Sequence, residues 1–316
     1  MTPQEEMQAF AFRTMHRRLN RCIAPGISCE ETAIRAHSIQ NARVLDLLCS
    51  DGHVVAPVNS ILNKRPKISF EKVGRNKAST FTGLCAAHDA EIFRTIDTEV
   101  FDVGNSEHLF LIAYRAVLRE AHAKLSIGTQ FQSAYRERIR LGLDAADVPT
   151  RGGLIALEHM MSAFETHEYK TFFDAAFLKK SFGLVSHSVL RMVVEHPTVA
   201  VCALYSADDV RVDDDVLRIA FNVIPTSKNE TIVTFSYLKA HSGMALAHLD
   251  QILASSSFHQ RFEISKLILR NCENFAISPE YYSAWSPKKL SAIMDYFIKT
   301  LLVNDGADES EHLYLF

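Results

Sequence analysis

Little in this 316-residue chain points to a specialised class of protein, and several absences narrow the field. Only one tryptophan is present, and no run approaches the roughly 18 to 20 consecutive apolar residues of a membrane span. The first residues, Met1-Thr2-Pro3-Gln4-Glu5-Glu6, lack a basic stretch leading into an apolar one, so no secretory signal is expected there. Six cysteines, at 22, 29, 49, 85, 202 and 272, are too irregularly spaced for a disulfide framework. The expected setting is a reducing cytoplasm, in which thiols are available to hold metal. No phosphate-binding glycine loop, dinucleotide turn or nucleophile elbow occurs, nor any internal repeat or low-complexity tract. With 47% hydrophobic and 22% charged residues, what remains is an ordinary globular chain, long enough for about two domains.

The formal net charge is only −3, but it is unevenly spread. Residues 1 to 80 carry twelve Lys or Arg against seven Asp or Glu, an excess of +5, which leaves −8 on the rest. A basic N-terminal module on an acidic body fits a protein in which only the module approaches phosphates; the alternative is ordinary surface charge. Nucleic acid is therefore an expected partner of the N-terminal part.

Periodicity predicts an amphipathic helix over 5–21 and a short one over 38–49. Residues 50–80, broken by Gly52, Pro57, Pro66 and Gly74, read as an elaborated loop with short strands at best. Helical spacing resumes at Ser106 through Leu125, a second helix covers about 129–142, and Pro149-Thr150-Arg151-Gly152-Gly153 reads as a linker before helices over 154–180. Glu158, His159, Glu165 and His167 lack the His-x-x-x-His spacing of a zinc protease and read as a solvated face. Four strands, Val185–Val194, Val199–Tyr205, Leu217–Ile224 and Thr231–Leu238, have connections too short for crossovers, which predicts an antiparallel meander. Helices near 242–255, 258–272 and 286–303 and a solvated acidic tail at 305–311 complete the chain. Asn222 and Pro225, and the stretch Asn271-Cys272-Glu273-Asn274, are candidates to line a pocket, or else strand-end and helix-end punctuation.

The residues that carry chemistry lie in the first ninety positions. Cys22 and Cys29 flank a Pro25-Gly26 turn, Ala36-His37-Ser38-Ile39 follows, and Leu84-Cys85-Ala86-Ala87-His88-Asp89 opens a helix. Two thiolates from one segment and a Cys-x-x-His pair from another would complete a tetrahedral Cys3His metal site.

This pattern resembles the ββα-metal core of HNH endonucleases, in versions stabilised by a treble-clef zinc, over residues 22 to about 97. The resemblance implies structural zinc on Cys22, Cys29, Cys85 and His88, with His37 as the general base that activates water against a phosphodiester. It further implies that Asp89 helps hold a catalytic Mg2+. The chain departs from the usual pattern at His88, where Cys is common, at Asp89, where His or Asn is common, and at Ala36, where an acidic or histidine partner often precedes the base. About fifty residues separate His37 from the second ligand pair, and Asn76 is the candidate for the asparagine that positions the base. Plainer readings stand beside these. His37 could hydrogen-bond the knuckle or replace Cys29 as a ligand, Asp89 could complement the helix dipole, and His53 could be a second base, a ligand, or neither.

The expectation is thus an α+β protein: a zinc-stabilised HNH-like module at 1–104, and a larger domain at 105–316 of helices around an antiparallel sheet. The expected function is metal-dependent cleavage of nucleic acid, with bacterial anti-phage defence as the expected setting. The alternatives are a non-catalytic zinc module that binds nucleic acid or protein, and a sensor in which the zinc is architectural. The larger domain is the expected seat of a homo-oligomer or protein contact, and no membrane partner is expected.

Overall fold

The computed structural model describes residues 2–14, 19–26, 29–62, 65–212, 215–303 and 310–316. Met15, Arg17, Arg18, Lys64, the side chain of Arg65 and most of the acidic stretch 305–311 lie outside these residues. In chain order the elements are α1 (Pro3–Thr14), β1 (Ile34–His37), a π-helical turn (Asn41–Leu45) running into α2 (Asp46–Leu48), β2 (His53–Leu62), β3 (Arg65–Gly74), β4 (Thr80–Leu84), α3 (Ala86–Thr98), α4 (Ser106–Arg140) and α5 (Arg151–Leu178). Then follow β5 (Val185–Val193), β6 (Val199–Val212), β7 (Asp215–Ser227), β8 (Glu230–Leu238), α6 (Ser242–Leu253), α7 (Ser257–Asn271), β9 (Phe275–Ile277), α8 (Pro279–Ser283) and α9 (Pro287–Val303). The fold is α+β, with the strands of its large sheet paired antiparallel. Among the described residues, no helix is long and apolar enough to cross a membrane.

Two compact units result, each assembled from three stretches of chain. The first comprises Met1–Ala36, Phe81–Ile92 and Val117–Ser181; the second comprises His37–Thr80, Phe93–Ala116 and Phe182–Phe316.

In the first unit, α5 starts where Thr150 accepts the Gly153 N–H at 3.2 Å, an N-cap that satisfies one of the helix's unpaired donors. The stretch expected to be a linker is therefore a helix start. One continuous 35-residue α4 replaces the two helices expected there. Gly128 does not break it, because a Cβ at that position would stand 3.2 Å from the His159 carbonyl and from the Met160 sulfur, so the glycine allows α5 to pass close. Its modest helix cost, about 1 kcal/mol relative to Ala, is outweighed by that packing. His159 is half-buried, stacked on Phe131 with ring centroids 4.0 Å apart, whereas Glu158, Glu165 and His167 are exposed.

The second unit holds a seven-stranded sheet in the order β3-β2-β9-β6-β7-β8-β5. Alternation along β7 sends Leu217, Ile219, Phe221 and Val223 into one apolar core with Ala245, Leu249, Ile264, Ile268 and Phe297 of the covering helices. The expected meander is corrected in one respect: β5 pairs with β8 (Val185↔Leu238 through Val193↔Glu230), and β6 takes β9 as its outer neighbour. Short connections dictate antiparallel pairing without dictating which strand lies next to which.

The segment expected to be a loop is a ten-residue hairpin, with β2 and β3 in register from His53↔Gly74 to Leu62↔Arg65. Its prolines are compatible with the sheet. Pro66 sits on the edge strand, and Pro57 lies beyond Val55, the one residue through which β2 pairs with β9. Phe70, on the edge strand β3, is buried among Phe275, Tyr282, Trp285 and Phe297, which anchors the hairpin.

Candidate metal centre

Three segments of the first unit converge at the head of α3. Residues 19–23 run beside β4: the Ile23 N–H donates to the Gly83 carbonyl at 2.8 Å, and the Thr82 hydroxyl donates to the Leu19 carbonyl at 2.8 Å. The Leu19 carbonyl also lies 2.6 Å from His122 Nε2 of α4. Gly83 is required for this approach, since a Cβ there would lie 2.9 Å from the Phe81 ring and 3.2 Å from the His122 Cβ. Cys22 is thereby set beside Cys85, which directly precedes α3. Both are buried, and the Cys85 carbonyl accepts the Asp89 N–H at 2.9 Å in the first helical turn. That turn brings His88, three residues on, back over Cys85.

Cys22, Cys29, Cys85 and His88 have ligand atoms that all lie within 4.8 Å of one another. His88 Nδ1 is 3.4 Å from Cys22 Sγ and 3.2 Å from Cys85 Sγ, while Cys29 Sγ is 3.9 Å from Cys85 Sγ. A tetrahedral ion with metal–sulfur bonds of about 2.3 Å would separate two sulfurs by about 3.8 Å. The spacing therefore fits two ligands on one ion, and it is far from the roughly 2 Å of a disulfide; none of the six cysteines is in a disulfide. The four side chains named from sequence thus form a cluster able to hold a metal ion.

The thiols are electrostatically distinct. Cys85 is pulled down to about 7, first by the backbone N–H of His88, against burial, with help from the Cys29, Cys22 and His88 side chains. Cys29 also gains from a backbone bond at Glu31, but burial and the neighbouring Cys85 and Cys22 outweigh it and hold its thiol above the ordinary range. A thiol that ionises readily thus stands beside one, Cys29, that resists, and a bound cation would displace the protons that remain.

The other named residues are placed as follows. Asp89, in the first unit, lies in the first turn of α3, where a carboxylate complements the helix dipole. His37, in the second unit, ends β1, and its Nε2 lies 3.2 Å from the Arg75 carbonyl. Beside that carbonyl, Arg75 pairs with Asp46, and Asn76 accepts from the Asn41 amide at 2.9 Å. His53 Nδ1 is tied to the Asp51 carbonyl of its own turn at 2.7 Å, and Asp51 has φ +50°.

Asn274, a candidate pocket residue, is instead a clasp. Its amide nitrogen donates to Ser38 Oγ and to the Cys202 carbonyl, and its oxygen accepts from Ser79 Oγ. Asn222 and Pro225 do line a cavity in the second unit, together with Arg43, Asp46 and Arg115, which sequence reasoning had not singled out. Their only signal in the sequence was a buried-type helix carrying an arginine. Compared with family models, curated proteins and solved structures, the chain matches none.

Proposed function

We propose that this protein is a zinc-stabilised, metal-dependent nucleic-acid hydrolase of the HNH-like type. The observation that supports this reading best is the Cys3His cluster at the head of α3, in a chain that runs through β1 and β4 into that helix. Three thiolates and an imidazole are a soft, nitrogen- and sulfur-only donor set, which selects zinc over hard oxygen-seeking ions; with no ligand position left open, the role of that zinc is structural.

Catalysis is assigned to His37. When Nε2–H donates to the Arg75 carbonyl, the tautomer is fixed and the basic lone pair resides on Nδ1. In the proposed step, Nδ1 takes a proton from water as the water oxygen bonds to phosphorus and one ester P–O bond breaks. For the metal dependence, Asp89 supplies a hard carboxylate oxygen of the kind that would hold Mg2+, while the departing oxygen takes its proton from solvent. Lys67, Lys72 and Lys77, exposed on β3 and the turn after it, are the phosphate-facing cations of the basic segment.

Metal analysis together with a nuclease assay tests this. One zinc per chain and Mg2+-dependent cleavage of DNA or RNA are expected, and His37→Ala should lower cleavage by about a hundredfold while leaving zinc content unchanged. Loss of zinc in His37→Ala would make it a ligand. A second reading is favoured by the site of Asp89, in a first helical turn where a carboxylate complements the dipole without any metal: a non-catalytic zinc module that binds nucleic acid. Salt-dependent binding without cleavage under any divalent ion would select it.

A further inference from the structure

We propose that the second unit carries a binding site for an uncharged, planar lactam heterocycle of nucleobase or nucleoside size. The site is a cavity of about 360 Å3 between the 38–47 segment and the face of β6 and β7 opposite the helix-packed core. Its volume lies within the range of ligand pockets, and Ile39, Val44, Leu47, Ile112 and Ile224 make much of it apolar.

The polar groups decide what it takes. The ionic side chains on the cavity are already matched: Arg115 binds Asp97 through two hydrogen bonds, at 3.0 and 2.8 Å, and lies over the Phe93 ring. Asp46 pairs with Arg75, and Arg43 donates to the Thr98 and Glu99 carbonyls at the end of α3. A charged ligand would have to displace one of these partners. Two buried donors have no partner: Asn222 Nδ2, on a residue 3% exposed, and Arg115 Nε. A buried polar group left unmatched is costly and calls for a cause, all the more on a strand face where Ala220 and Ile224 show that apolar side chains fit.

A carboxamide presents a donor and an acceptor side by side, complementary to the edge of a lactam ring, and the second N–H asks for a further carbonyl oxygen. A base free in solution and one belonging to a strand share this chemistry. Isothermal titration of the full chain with uridine, inosine and a short oligouridine separates the sources, with benzoate as a charged apolar control. Saturable binding of a nucleoside with a Kd of about 1 mM or tighter is expected, and binding of oligouridine alone would assign the site to strand-borne bases. Asn222→Leu should weaken it at least about tenfold, and Ile112→Trp, which takes up cavity space and leaves Asn222 in the chain, should abolish it. Silence with all three ligands, tighter binding of benzoate, or unchanged affinity in either folded variant overturns the proposal.

Helix α5 carries a second, independent feature. Leu154, Leu157, Met161, Phe164, Phe172 and Leu178 are 49 to 59% exposed, and the first four keep the three-and-four spacing of a coiled-coil seam. Ala156, Ala163, Lys170 and Phe173, on the opposite side, are buried. An exposed helix face is normally polar, so apolar residues on both faces mark a second contact.

We infer that this face packs on its counterpart in a second copy of the chain. Together with Met160 it presents on the order of 700 Å2 of side-chain surface, close to the roughly 800 Å2 per partner of a stable interface. A two-fold axis near the middle of α5 would lay the whole of this face antiparallel on its copy. Light scattering of the full chain should give a dimer, and the Leu157→Glu, Phe164→Glu double variant, altered only at exposed positions, should give a folded monomer. A monomeric wild type at about 100 μM, or a variant that remains dimeric, overturns it.

Discussion

Lowering the pH from 7 to 4.5 should destabilise the second unit through one side chain, His187 on β5. Its Nδ1 lies 2.8 Å from Ser236 Oγ on the paired strand, while its Nε2 is buried without a partner. Burial pushes the imidazole down to about 4, so the folded protein holds it neutral. In the unfolded chain the ring takes its proton near pH 6.5. The folded pKa is depressed, so the stabilisation is complete above about 6.5 and is lost as pH falls from there towards 4. The full loss, over about 2.5 pH units at about 1.4 kcal/mol each, comes to about 3.5 kcal/mol, a large share of the stability of an ordinary domain. Urea unfolding at pH 7.5, 6.5, 5.5 and 4.5, on wild type and His187→Phe, isolates this group from the carboxylates common to both. The wild-type curve should fall more steeply, by roughly 1 kcal/mol per pH unit below 6. Parallel curves would refute the buried, neutral state of His187.

Other outcomes follow from the first unit. Gly83→Ala should cost about 1 to 3 kcal/mol and lower metal occupancy, because the new Cβ meets the Phe81 ring and the His122 Cβ beside the cluster; thermal melts and metal analysis read both. Asp174→Ala should cost about 3 kcal/mol or more by leaving the buried Lys170 ammonium without the carboxylate now 2.6 Å away, whereas Lys170→Met should cost less, as denaturant midpoints will report. Stripping metal with a chelator should lower the melting temperature of the wild type and leave that of Cys85→Ala, already low, unmoved.

The cluster was legible in the sequence because its evidence is chemical identity: thiols and imidazoles are scarce, and Cys85 and His88 stand at the i, i+3 spacing that a helical turn brings together. The helices near 242–255, 258–272 and 286–303 were legible from periodicity. The β2–β3 hairpin was not, because Pro57 and Pro66 look like breakers until the open ladder positions they occupy are known. Nor was the continuity of α4, because what Gly128 provides is room for a helix thirty residues downstream. Asn222 could be suspected of lining a pocket, but the pairing of Arg115 with Asp97, which fixes the character of that pocket, depends on tertiary placement alone.

The three residues of β9 bear on how the protein is made. They lie between β2 and β6, so the hairpin β2–β3 and the strands β6, β7, β8 and β5 become one sheet only through Phe275–Ile277. A ribosome that has finished β8 must add about 40 more residues before β9 exists, which at about 5 to 20 residues per second takes roughly 2 to 8 seconds. During that interval β6 has only β7 as a neighbour and β2 only β3, leaving two open edges on one nascent chain. The Asn274 clasp, which reaches back 236 positions to Ser38, closes only when this strand arrives. Synthesis of this protein therefore passes through a defined window of exposed strand edges, and a chaperone that shields such edges would act between residues 238 and 277.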